Sequence, residues 1–202
     1  MKFLELFSGS GDISREMSKR GHECVTVDYD PKKGSDICAD VYGLSSDFLN
    51  GFDFIWASPD CTTYSLASHG KHRRAGAVAV SEYAKQCDAN NARLLHTLIA
   101  TGLPFIVENP RAHFRNMEFV KGLYRSTVYY SQYGAVYSKP TDFFSNRNLY
   151  GLFDETIKKT GVQLDWCKRP NDFLGRCSIP SKLIKDICDN IELLCEREKD
   201  NE

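Results

Sequence analysis

The segment Ala57-Ser-Pro-Asp-Cys61-Thr-Thr-Tyr-Ser65 directly follows an apolar run, Asp53-Phe-Ile-Trp-Ala57. That run reads as a buried strand, so Cys61 stands where a strand gives way to a loop. A second run, Pro104-Phe-Ile-Val107, ends in Glu108-Asn109-Pro110 and brings a carboxyl group to the same kind of place. A third opens the chain, Phe3-Leu-Glu-Leu-Phe7, and leads into Ser8-Gly9-Ser10-Gly11. In an open parallel sheet, ligand chemistry gathers outside the carboxyl ends of the strands. Glycine loop, thiol and carboxyl at three such ends make a candidate active site with a cofactor beside it.

Each residue also has a plainer use. A lone cysteine is usually core filler, but Cys61 sits among Ser, Asp and Thr at a strand's end. A thiolate there can act as a nucleophile if a cation or a helix N-terminus lowers its pKa. Glu108 can equally cap a helix or join an ion pair. The glycine loop can simply turn the chain, yet Asp28 ends the next strand about 20 residues on, where a carboxylate accepts from ribose hydroxyls. Tyr29 follows it and can stack on an adenine. The third glycine of the GxGxxG pattern is missing, with Arg15 and Glu16 in that region. A methyl-donor nucleotide has no pyrophosphate and needs fewer amides, so S-adenosylmethionine fits better than NAD.

The elements that would position these groups alternate. Strands are expected at Phe3–Phe7, Glu23–Asp28, Phe52–Ala57 and Pro104–Val107, with a short apolar piece at Ile37–Val41. Helices are expected at Asp12–Arg20, stopped by Gly21, and from Ser81 to Thr101, with Tyr83, Cys87, Leu94, Leu95 and Leu98 as an inner stripe. Such alternation predicts an α/β fold with a Rossmann-like, doubly wound and mostly parallel sheet. Ser126–Gln132 and Thr141–Ser145 read as an antiparallel hairpin at its edge. Residues 146–175 read as loops with one short helix, a last helix runs from Pro180 towards Cys195, and the acidic tail 196–202 is expected to fray.

At 202 residues the chain suits a single domain with a real core. No run approaches the roughly 20 apolar residues that span a bilayer, and the N-terminus does not resemble a signal peptide. The eight cysteines are widely spaced with no CxxC pair, which reads as free thiols in a reducing cytosol and suggests no metal site. Net charge is −1, but residues 185–202 carry three basic and seven acidic side chains, so the rest of the chain sums to +3. A cluster at His69-Gly-Lys-His-Arg-Arg74 follows the cysteine loop, and Arg111, Arg115, Lys121 and Arg125 follow Glu108. These are solvated loop charges or a footprint for a phosphate backbone, the latter through Lys71, Arg73, Arg74 and Arg111.

Phe-Ser-Gly-Ser-Gly, Ser-Pro-Asp-Cys-Thr-Thr-Tyr-Ser and Val-Glu-Asn-Pro, in this order, resemble the cytosine-C5 DNA methyltransferase family over roughly residues 2–145. A fainter echo of its last motif lies at Arg176-Cys-Ser-Ile-Pro180. The resemblance implies a sheet of the S-adenosylmethionine-dependent methyltransferase type, DNA as partner, Cys61 as nucleophile and Glu108 as the glutamate that holds the base. It also implies that Phe7, Ser8, Gly9 and Gly11 surround the cofactor. Asp28 would bind its ribose, Tyr29 pack on its adenine and Asp40 meet the adenine amino group, with Pro59 and Ser178 close by.

The departures are specific. Asp60 replaces the proline that normally precedes the nucleophile, and a neighbouring carboxylate disfavours a thiolate unless it is turned away or paired. The family's Gln-x-Arg-x-Arg element survives only as Tyr137-Ser-Lys139-Pro-Thr141, which leaves Lys139 to support the base, and Cys177 replaces an asparagine. Only residues 146–175 occupy the place of the long target-recognition domain. The chain therefore resembles a minimal, phage-like form, cytoplasmic in a bacterium or an infected host, with room for a protein partner that donates specificity. Two alternatives stay open: a catalytically silent binding protein or partner subunit, and an enzyme acting on free cytosine nucleotides.

Overall fold

The computed structural model describes residues 1–149 and 178–199. Among them a seven-stranded sheet forms the centre: β1 (Lys2–Leu6), β2 (Glu23–Asp28), β3 (Ile37–Cys38), β4 (Phe54–Ala57), β5 (Phe105–Pro110), β6 (Tyr124–Tyr129) and β7 (Pro140–Ser145). Their order is β3-β2-β1-β4-β5-β7-β6. The first five run parallel. β7 is antiparallel to both β5 and β6, so the expected hairpin is present, with β7 inside and β6 at the edge. The helices are α1 (Asp12–Lys19), α2 (Ser46–Leu49), α3 (Glu82–Thr101) and α4 (Ser181–Lys199).

Strand alternation sorts the core into two layers, because successive side chains leave opposite faces. Phe3, Phe54, Trp56, Ile106 and Phe143 meet Ile13 and Met17 of α1 and Leu183, Ile187 and Ile191 of α4. Leu4, Leu6, Ile55, Ala57, Phe105 and Val107 meet Leu94, Leu95 and Leu98 of α3 and Leu49 of α2. Covered on both faces, β4 has no polar position to spare, hence its unbroken Phe-Ile-Trp-Ala run. The Ser81 hydroxyl accepts from the Ala84 amide to start α3, and Gly102, at φ 71°, ends it in the left-handed region.

Four expectations need correction. β5 does not stop at Val107, because β7 pairs with Glu108, Asn109 and Pro110. Its parallel neighbour does stop, Ala57 opposite Val107, so Glu108 is the first residue beyond the end of β4. Tyr83 does not belong to the inner stripe of α3: it is half-exposed, and Ala84 and Asn91 are buried there. Residues 130–133 form a 3-10 turn that closes β6 early. The acidic segment is helical as far as Lys199, and Glu198 there binds Arg147 at 2.7 Å. The rest of that tail and most of 146–175 lie outside the described residues. No helix among those described is long and apolar enough to cross a membrane.

Candidate active site

The glycine loop is tied to the end of β2. Phe7 and Gly9 both take positive φ, 55° and 54°, strained for Phe7 and free for glycine. The Gly9 amide donates to Asp28 Oδ2 at 3.0 Å and the Asp30 amide to Asp28 Oδ1 at 3.0 Å. Asp28 is buried, while Tyr29 beside it is 74% exposed and offers an open ring. Asp40 is exposed and accepts the Tyr42 amide at 3.0 Å. The Tyr42 ring packs at 5.2 Å from that of Phe7, which draws this segment to the glycine loop. Ser8 is buried, whereas Ser178 stands exposed just ahead of α4.

The Cys61 loop is a compact turn. Cys61 is half-buried and its carbonyl accepts from the Tyr64 and Ser65 amides at 3.0 and 3.1 Å. Buried Pro59 accepts from Asn109 Nδ2 at 3.1 Å, and that bond ties the Cys61 loop to the residue after Glu108. Asp60 is taken up elsewhere. The Thr62 amide and hydroxyl donate to its Oδ1 at 2.9 and 2.6 Å, and the Tyr83 hydroxyl to its Oδ2 at 2.6 Å. Three donors thus spread the charge that its sequence position set beside the thiol.

Glu108 is buried, and its Oε1 has no hydrogen-bond partner among the described residues. Burial pushes its pKa up, Lys139 opposes this, and Asp142 adds to it. The Lys139 ammonium lies 5.0 Å from the centre of the Tyr130 ring, a cation–π arrangement. Carboxyl, ammonium and phenol therefore share one electrostatic neighbourhood at the end of β5. Tyr130 was not visible as a site residue in the sequence, where it reads as one more aromatic of a strand.

The basic loop divides. Lys71 and Arg74 are exposed, as the phosphate reading requires. Arg73 is not available: it is 0% exposed and paired with Asp88, so its assignment to nucleic acid is corrected. Arg111 is exposed and donates to the Tyr129 hydroxyl at 2.7 Å. Arg115 is occupied by Asp142, which it grips at 2.6 and 2.8 Å. Behind the loop His113 stacks on His69 with ring centres 5.7 Å apart, and burial and the nearby Arg73 lower its pKa.

No family model matches the chain. A probable DNA (cytosine-5)-methyltransferase of Frog virus 3 (isolate Goorha) is 34% identical over 120 residues, which cover 54% of this chain and 54% of that protein. The chain thus matches about half the length of this curated relative. Among solved structures, the Entamoeba histolytica methyltransferase EhMeth superposes with a TM-score of 0.54 at 12% identity, over 74% of this chain and 54% of that one. The S. pombe Dnmt2 methyltransferase does so with a TM-score of 0.50 at 14% identity, over 83% and 58%. At such identities the two structures speak for the fold, a Rossmann-like sheet of the S-adenosylmethionine-dependent methyltransferase type. In sequence over the matched part the chain is similar to a cytosine-5 methyltransferase, and in fold to methyltransferases.

Proposed function

We propose that the chain transfers a methyl group from S-adenosylmethionine to C5 of cytosine in DNA, through a transient bond between Cys61 and C6. The observation that carries this is a half-buried thiol in the loop after β4 and a buried carboxyl on β5 whose pKa burial raises, tied together by the Asn109–Pro59 bond. The donor set at the glycine loop suits the methyl donor: Asp28 for ribose hydroxyls, Tyr29 for the adenine face, Asp40 for the adenine amine, and Phe7 to Gly11 with Pro59 around its remainder. When bound, that group supplies an electrophilic methyl carbon.

C5 of cytosine is a poor nucleophile until C6 is attacked. The Cys61 thiolate adds to C6 while the Glu108 carboxyl passes its proton to N3, and the ring becomes an enamine with electron density at C5. Lys139 steadies the carboxylate left behind. After methylation, loss of the C5 proton to water and expulsion of Cys61 as its thiolate restore the aromatic ring, and N3 returns its proton to Glu108. A duplex hides C6, so the target base must be unstacked or already unpaired. The exposed Lys71, Arg74 and Arg111 are the cations we assign to the flanking phosphates.

Transfer of radiolabelled methyl groups to DNA, RNA and dCMP tests the reading. DNA should be labelled, 5-fluorocytosine DNA should trap a covalent adduct, and Cys61→Ser should do neither while still binding the cofactor. Labelling of dCMP alone would move the substrate to free nucleotides, and no transfer at all would leave a silent binding protein.

A further inference from the structure

Arg73 sits in a loop, yet its guanidinium is wholly buried. A buried cation is costly unless it is paired and its donors are satisfied. Here they are. Nε donates to the Thr63 carbonyl at 2.8 Å and Nη1 to the Ala77 carbonyl at 3.0 Å. Both terminal nitrogens reach Asp88 of α3, at 2.5 and 3.1 Å, and the guanidinium lies 4.2 Å from the centre of the Tyr64 ring. The Tyr64 hydroxyl donates to Asp88 at 2.8 Å and accepts from Asn91 Nδ2 at 2.9 Å. Asn91 in turn accepts from the Tyr42 hydroxyl at 3.0 Å. The Tyr64 carbonyl accepts the His113 amide at 2.9 Å, from the segment after β5.

Thr63 and Tyr64 are the second and third residues after Cys61, and the Tyr64 amide closes the turn on the Cys61 carbonyl. No helix or strand holds residues 58–65. Besides the Asn109–Pro59 and Tyr83–Asp60 bonds, this polar network holds them, with the Arg73–Asp88 pair at its centre. Apolar side chains of equal volume would stabilise such a spot as well or better. An ion pair with directed bonds instead selects one loop conformation. A nucleophile needs that selection, since an error of about 1 Å in placement can cost about a hundredfold in rate.

We propose that Arg73 and Asp88 are positioning residues, which hold the Cys61 loop in its reacting conformation through Thr63 and Tyr64 without touching the substrate. The proposal rests on the function given above. Its test measures kcat, KM for DNA, cofactor affinity, thermal melting and the rate at which iodoacetamide alkylates Cys61, read on its own peptide by mass spectrometry. Asp88→Asn keeps the volume and removes the charge. It should lower kcat about 10–100-fold and leave cofactor affinity within about twofold, because Asp88 does not contact the glycine loop and Asn109 still holds Pro59. With the loop free to open, Cys61 should be alkylated several times faster. Arg73→Lys should lose less activity than Arg73→Met. Tyr64→Phe removes a single hydroxyl and serves if the charge variants do not fold, with the same changes expected on a smaller scale. Unchanged kcat and alkylation in a folded variant would overturn the proposal, as would a loss of activity that merely tracks the folded fraction. If the wild type methylates nothing, the functional reading fails, while the alkylation rates still decide the positioning role.

Discussion

Burial raises the pKa of Glu108, with Lys139 opposing the rise and Asp142 adding to it, which favours the protonated carboxyl. In the proposed reaction that proton is the one given to N3. Glu108→Gln preserves the shape and removes the transferable proton, so kcat should fall by about 10²–10⁴, the usual weight of a general acid. In the wild type kcat should decline as pH rises through the raised value of Glu108. The residual activity of the glutamine variant should lack that limb, and a pH–rate profile of both proteins checks it. Cys61 and Glu108 stood out in the sequence as candidates because each follows an apolar run into polar surroundings. Arg73 was not. Inside His69-Gly-Lys-His-Arg-Arg74 it looks like its neighbours, and only the partner fifteen residues away on α3 makes it internal. Asn91, by contrast, left a readable trace as a polar residue in the apolar stripe of a helix.

At the scale of elements, β1 carries a group whose purpose the sequence conceals. Glu5 is 4% exposed, and its Oε2 accepts the Ser14 amide at 2.8 Å. The residue at the N-cap of α1 is Gly11, which has no side chain to cap the helix, so a carboxyl from the strand does the capping. Burial raises its pKa from 4.5 to about 7. An acid with a raised folded value binds protons more tightly folded than unfolded, so stability is greatest below about 4.5 and declines as pH climbs to about 7. The full span is worth about 3 kcal/mol. Denaturant unfolding between pH 5 and pH 8 should show this decline, and Glu5→Gln should flatten it. On the next strand Asp28→Ala should weaken cofactor binding by about 1–3 kcal/mol, measured by calorimetry, since hydrogen bonds to a charged group are lost. The parallel strands were legible from their apolar runs. The extension of β5 was not, because it exists only through pairing with β7, far along the chain, and Tyr83 misled because helical spacing alone does not tell Tyr83 from Ala84.

The whole molecule is nearly neutral because an acidic C-terminal segment offsets a positive remainder. The acidic C-terminal segment continues α4, on the sheet face shared with α1, and several of its carboxylates are already paired: Asp189 and Glu192 with Arg20, Glu198 with Arg147. The remainder carries the positive excess, and part of it is exposed at Lys71 and Arg74, ten and thirteen residues beyond Cys61. In the proposed reaction those two cations meet phosphates of the polynucleotide while Cys61 attacks the base. Each phosphate contact releases condensed counterions, so the slope of log K against log salt measures how many exist. Arg73 cannot contribute, being closed inside the loop. Replacing Lys71 and Arg74 together by glutamine should therefore reduce that slope by about 1.8 on duplex DNA, or about 1.4 on a single strand. Affinity should fall on every sequence alike, because phosphates carry no base information. Fluorescence anisotropy across a salt series would give both numbers. An unchanged slope would mean that this loop does not touch nucleic acid and would favour a free nucleotide as substrate.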